Sequence, residues 1–141
     1  MKKLTNKKVD MKSFAMLVIS VMFFWSGINK ILHFDKKVET LVKKTGWPKT
    51  LCDLGMVGVI LLETIGFIVL LEYFLNMPVL TKLLNMFIPT TQLIQLILIT
   101  VILFIIVVTL IYHPLDVNRP IPFLTNLTIL GGFIYIYADL F

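Results

Sequence analysis

One glutamate, Glu63, stands in the middle of the apolar run LGMVGVILLETIGFIVLLEYFL, from Leu54 to Leu75. A carboxylate flanked by that much hydrocarbon costs several kcal/mol unless something compensates it. Two readings are open: a neutral carboxyl hydrogen-bonded to a neighbouring helix, or a carboxylate paired with a cation. The nearest candidate cation by segment is Lys30, in SGINKIL, where Ser26, Asn29 and Lys30 recur at i, i+3 and i+4. That spacing places them on one helix face. His113 closes a third apolar run and Asn126 opens a fourth. Together these residues could handle a small polar ligand. Lys30 would attract an anion, Glu63 would relay protons, and His113 and Asn126, with Asn29, would position the substrate. Each also has a plainer reading. Lys30 can snorkel to the surface, His113 can cap a helix stopped by Pro114, and Asn126 can bond an adjacent helix.

Several other chemistries are excluded. The only histidines are His33 and His113, and no HxxxH, ExxH or cysteine pair accompanies them, so no metal site is expected. The single cysteine, Cys52, cannot form an intramolecular dithiol or disulfide. No Ser–His–acid order and no phosphate-binding or nucleotide fingerprint occurs. No bound cofactor is expected, with a quinone as the one redox molecule the spans could accommodate. Whether the chain is itself an enzyme stays open.

The elements that must position these residues follow from composition. The chain has 141 residues, 58% of them hydrophobic and 15% charged, with a mean hydropathy of +0.94. Soluble domains are nearer 45–50% apolar and about 25% charged, so the chain is a small integral membrane protein. A bilayer core of about 30 Å needs roughly 20 apolar residues of helix. Four runs supply them: residues 14–32, 54–75, 91–112 and 123–141. The expected fold is all-α, a single domain forming a transmembrane antiparallel four-helix bundle. Between the first two runs, FDKKVETLVKKTGWP carries Phe34, Val38, Leu41 and Val42 at helical spacing with lysines opposite. A short interfacial helix is predicted there, its apolar face in the headgroup boundary. Gly58 and Gly66, with Gly131 and Gly132, are read as sites of close backbone approach. The second loop, PVLTKLLNMFIP, is apolar enough to dip into the interface, and Glu72, Gln92, Gln95 and Asp139 are read as interfacial. The lysine-led start resembles a secretory signal, but no A-x-A-like site follows the apolar run, so a retained first helix is expected.

Alternating spans place both ends and the second loop on one side, here called side A. The first and third loops lie on side B. Lys30, His113 and Asn126 then fall within one or two turns of side B, with Glu63 roughly 13–15 Å below it. A polar cavity open to side B, lined by Asn29, Lys30, Glu63, His113 and Asn126, is the geometric expectation. The chain has 13 basic and 8 acidic residues. Six basic residues flank the spans on each side, which leaves orientation undecided. Arg119 is the only arginine, and the lysines flank spans without interleaved stacking residues, which argues against nucleic acid. The bilayer is the first partner; a membrane or peripheral redox protein and a second copy of the chain are others.

The chain resembles the DoxX-like family of four-helix membrane proteins. The resemblance rests on SGINKILHF from Ser26 to Phe34, on Gly46-Trp47-Pro48, and on LLETIGF with Glu63 and Gly66. It continues in TLIYH from Thr109 to His113 and NLTILGG from Asn126 to Gly132, spanning residues 14–138. The resemblance implies a four-helix bundle with Lys30, Glu63, His113 and Asn126 at recurrent polar positions. It further implies a membrane subunit or partner of a redox or thiol-handling complex, because members include subunits of thiosulfate:quinone oxidoreductases. Other members partner a superoxide dismutase and a sulfurtransferase, and distant relatives are cargo receptors or receptor-assembly chaperones. The turn PLDVNRPIP after His113 departs from the aromatic continuation common in the family. The rival expectation is a scaffold, assembly factor or structural envelope protein. The host membrane would be a bacterial inner membrane, an endoplasmic-reticulum-derived membrane, or the virion membrane of a large DNA virus.

Overall fold

The computed structural model describes residues 11–77 and 79–141. Lys2, Lys3, Lys7 and Lys8, which open the side-A charge count, lie outside the described residues. Four helices are long and apolar enough to cross a membrane: Met11–Leu32, Lys49–Leu75, Thr90–Tyr112 and Ile121–Leu140. They are called the first to fourth spans below. Among the described residues there is no strand, and the fold is an all-α bundle of these four spans. The protein is therefore a multi-pass membrane protein. Large apolar side chains such as Val21, Trp25, Leu54, Leu61, Leu103, Leu110 and Leu127 remain exposed along all four, as a lipid-facing surface requires.

The span boundaries have local causes. The first helix breaks at His33, where φ is −126° and ψ is 36°. A linker helix, Phe34–Thr45, follows, with Asp35 in its first turn and Lys43 and Lys44 in its last. That arrangement complements the helix dipole. Gly46 ends the helix in a left-handed conformation (φ 71°), its N–H donating to the Val42 carbonyl at 2.8 Å; glycine takes that conformation without steric cost. Pro48 restarts the chain as the second span. At the far end of this span Asn76 takes the left-handed position, with φ 52°. The third span begins after Pro89, with the Thr90 N–H donating to Asn85 Oδ1 at 2.9 Å. It stops ahead of Pro114, which disfavours helix at His113.

The linker helix is present as predicted, but its apolar face does not turn outward. Val38 is fully buried and packs with Cys52 and Met56 of the second span, and Phe34, Leu41 and Val42 border the same cluster. Lipid and protein offer equally apolar surroundings, so amphipathicity alone does not choose between them. Lys44 Nζ sits 5.1 Å from the Tyr112 ring centroid, holding the linker helix over the end of the third span.

The main core lies where the spans meet. Phe23 and Phe67 stack with ring centroids 4.3 Å apart, and Phe133 stands edge-on to both at 6.1 and 5.9 Å. Met16, Leu70, Ile94, Leu98, Val101 and Ile105 continue this core. The fourth span packs chiefly on the third; Phe133 is its one buried residue. Its last turn is tied to the start of the first span by the Lys12–Asp139 ion pair. That pair places the beginning of the first span and the end of the fourth on the same side.

Glycine spacing gave a partly wrong account of the packing. A Cβ at Gly66 would lie 3.2 Å from Leu62 Cδ1 and 3.6 Å from Ile97 Cγ2, but nothing lies within 4 Å of one at Gly58, Gly131 or Gly132. The last three are exposed and hold no neighbouring backbone. The tight crossing is at Gly27 instead. A Cβ there would meet Thr64 Cγ2 at 2.8 Å and Glu63 Cβ at 3.2 Å. Only a bare Cα lets the first span approach the second so closely beside Glu63.

Candidate functional site

Glu63 lies in a π-helical turn, Leu62–Gly66, set into the second span. The wider turn adds a residue to the helical ladder, and such turns recur at functional positions. Here it coincides with the Gly27 crossing and brings Glu63 against the first span. Lys30 Nζ donates to Glu63 Oε1 at 2.8 Å and to Oε2 at 2.7 Å. It also donates to Ser26 Oγ at 2.6 Å, while the Ser26 hydroxyl lies 3.4 Å from Glu63 Oε1. An ammonium has three N–H donors, and all three are engaged. The Glu63 side chain is 3% exposed and that of Lys30 20%. The pairing follows from helix direction. Ser26 and Lys30 are one turn apart on the first span, and the antiparallel second span carries Glu63 up to the same depth.

Above the pair, a cavity of about 560 Å³ opens on side B, well within the size of ordinary ligand sites. Its walls are apolar: Met22, Met56, Val59, Ile105, Val108 and Ile129 contribute from all four spans. Its floor is Lys30, Glu63 and Ser26. Its polar rim includes Lys37 from the linker helix, Tyr112 and His113 from the end of the third span, and Asn126 from the fourth. Phe23, Phe67 and Phe133 lie on the side-A flank of the ion pair, one or two turns further along their helices. Phe23 itself lines the cavity, so the aromatic cluster bounds it at its side-A end.

Of the residues singled out by sequence, Lys30, Glu63, His113 and Asn126 line this one cavity, and Asn29 does not. Asn29 is exposed, and its carbonyl accepts from the backbone N–H of His33 at 3.1 Å. Successive helical residues turn by about 100°, so Asn29 faces away when Ser26 and Lys30 face in. His33 Nδ1 lies 3.1 Å from the same carbonyl. Asn126 both borders the cavity and bonds a neighbouring helix, donating from Nδ2 to Thr109 Oγ1 at 3.1 Å. Thr109 is buried and donates in turn to the Ile105 carbonyl at 2.6 Å. It fixes the Asn126 amide and was not among the sequence candidates, although its place four residues before His113 put it on the same helix face. Lys37, Trp47 and Tyr112 at the mouth were also missed, since nothing in their spacing indicated that the linker helix folds back over the bundle.

Glu72 is not a free interfacial acid. Its carboxylate accepts the backbone N–H groups of Val79, Leu80 and Thr81 and the Thr81 hydroxyl, at 2.8 to 3.1 Å. It caps the short helix Leu80–Leu84 in the second loop. Gln95 Nε2 donates to Tyr137 Oη at 3.0 Å, joining the third and fourth spans. Among the described residues, no three His, Cys, Asp or Glu side chains gather as a metal site. No protein family, curated protein or solved structure matches this chain.

Proposed function

We propose that this protein is a membrane component of a redox or thiol-handling complex, of the DoxX-like type. Its side-B cavity holds a small polar-headed ligand, a quinone or a sulfur anion. The observation that carries this reading is the Lys30–Glu63–Ser26 floor beneath a mostly apolar cavity. A buried ion pair is a costly way to hold helices together, since well-packed apolar groups do so at least as well. Set in an open cavity, it presents carboxylate acceptors and an ammonium that a ligand head can reach by exchange with Glu63, while the walls receive an apolar body. His113 and Asn126 stand above it and would orient that head. Chemistry on the ligand would be completed by a partner, because the chain contributes one buried cysteine and no second redox group.

The test is copurification. Protein extracted from its own membrane into nanodiscs is assayed by mass spectrometry for bound quinones and sulfur compounds, against a Val59→Trp variant that fills the cavity. The expected result is a small molecule retained by the parent protein and lost from the variant. An empty bundle in both would overturn the reading and leave a scaffold or assembly factor in its place. The sparsely packed fourth span favours that second reading, because an exposed helix such as this one can seat another membrane protein or a second copy. The host membrane, bacterial, endoplasmic-reticulum-derived or viral, would follow from the same preparation.

A further inference from the structure

The floor of the cavity is electrically closed. Lys30 has no spare donor, since Ser26 Oγ and both Glu63 oxygens take all three. Glu63 is the only carboxyl group among the lining residues. The other titratable groups facing the cavity are Lys37 of the linker helix and Tyr112 and His113 at the end of the third span, all at the rim. The fourth span contributes only Thr125, Asn126 and Ile129, and the second adds Gly55, Met56 and Val59. Among the described residues there is thus one cation for one anion at the depth of the floor. A second anion could reach Lys30 only by displacing Glu63. Two carboxylate-like charges cannot share a single ammonium in so apolar a site, because like charges at contact drive one of them to take up a proton.

We infer that an anionic head group entering this cavity takes the place of Glu63 on Lys30, and that Glu63 takes up one proton from side B as it does so. The inference rests on the cavity being a ligand site and assigns the charge and coupling of its ligand. The step balances. The resting Lys30 ammonium and Glu63 carboxylate, with an incoming monoanion and one proton, become a Lys30–anion pair and a neutral Glu63 carboxyl. No net charge enters the bundle. The new carboxyl O–H can donate to the bound anion, so the head group gains two donors where the resting site offered none. The apolar walls select an anion carried on a hydrocarbon body, and Lys37 and His113 at the rim favour its approach.

The experiment uses the full chain in zwitterionic phosphatidylcholine nanodiscs, with dodecanesulfonate as a probe whose own charge does not titrate and dodecanol as its neutral counterpart. Sulfonate affinity should rise about tenfold for each pH unit lowered, as one-proton linkage requires. A pH-indicator dye in weakly buffered solution should report one proton taken up per sulfonate bound. Dodecanol binding should show neither effect. Glu63→Gln should bind sulfonate with no pH dependence, while His113→Gln should keep the slope. Sulfonate binding without proton uptake by the unmodified protein would overturn the inference and leave the cavity reading standing. A slope retained in Glu63→Gln would overturn it too, moving the titration to the rim. Failure of both probes to bind would overturn the cavity reading itself, and the inference with it.

Discussion

Replacing Lys30 by methionine tests the ion pair most severely, because the two partners are unequally buried. Methionine keeps most of the side-chain volume and removes three charge-assisted hydrogen bonds of 2.6 to 2.8 Å. It strands a carboxylate that is 3% exposed. Breaking a buried pair from one side costs about 3–5 kcal/mol, or roughly two to four decades in the folding equilibrium. Glu63→Gln is expected to cost less, about 1–2 kcal/mol. The amide oxygen still accepts from Lys30 and Ser26, and the ammonium, 20% exposed, can draw water from the cavity. The double variant should be less destabilised than the sum of the two by about 2 kcal/mol or more, within the range of direct coupling. Steric-trap unfolding in bicelles reads all three values. A Lys30→Met cost within about 0.5 kcal/mol of zero, or strictly additive effects, would refute a formed and buried pair.

Further expectations concern the packing around it. Gly27→Ala should cost about 1–3 kcal/mol, because its methyl would lie 2.8 Å from Thr64 Cγ2; Gly131→Ala, with nothing within 4 Å, should be neutral in the same unfolding assay. Phe133→Ala removes two edge-on ring contacts and should cost about 3 kcal/mol. It should also let a water-soluble thiol reagent applied from side B reach a cysteine placed at Leu98 on the side-A flank of the cluster; labelling of that cysteine with Phe133 intact would contradict closure by the aromatic cluster. Glu72→Gln leaves the carboxylate cap incomplete and should lower stability by about 1 kcal/mol, seen as faster hydrogen exchange at Leu80 and Thr81.

The spans were legible because hydropathy over some 20 residues leaves a helix as the only economical way to satisfy the backbone in lipid. That Lys30 and Glu63 could meet was legible for a related reason: alternating helix directions and a fixed rise set approximate depth, while the choice between reaching inward and snorkelling outward was left open. Azimuth was harder. Asn29 lies one residue from Lys30, and spacing at i+3 and i+4 brackets a face too broadly to tell which of the two turns inward. The π-turn at Leu62–Gly66 has no proline or other breaker to announce it; it arises where Gly27 and Glu63 are packed together, a tertiary cause. Gly58, Gly131 and Gly132 show the converse limit, since a missing side chain permits an approach that no neighbour makes. Glu72 was hidden because its partners are backbone amides beyond a turn, and an N-cap supplied from the preceding helix has no fixed sequence interval.

Lys30 turns into the bundle to meet Glu63 rather than outward to the headgroups. Solid-state NMR on the protein in lipid bilayers tests it directly, through the dipolar coupling between isotope-labelled Lys30 Nζ and Glu63 Cδ. The Nζ–Oε distances of 2.8 and 2.7 Å require a strong coupling that disappears in Lys30→Met. Absence of that coupling in the unmodified protein would place Lys30 at the membrane surface and leave the cavity without its charged floor.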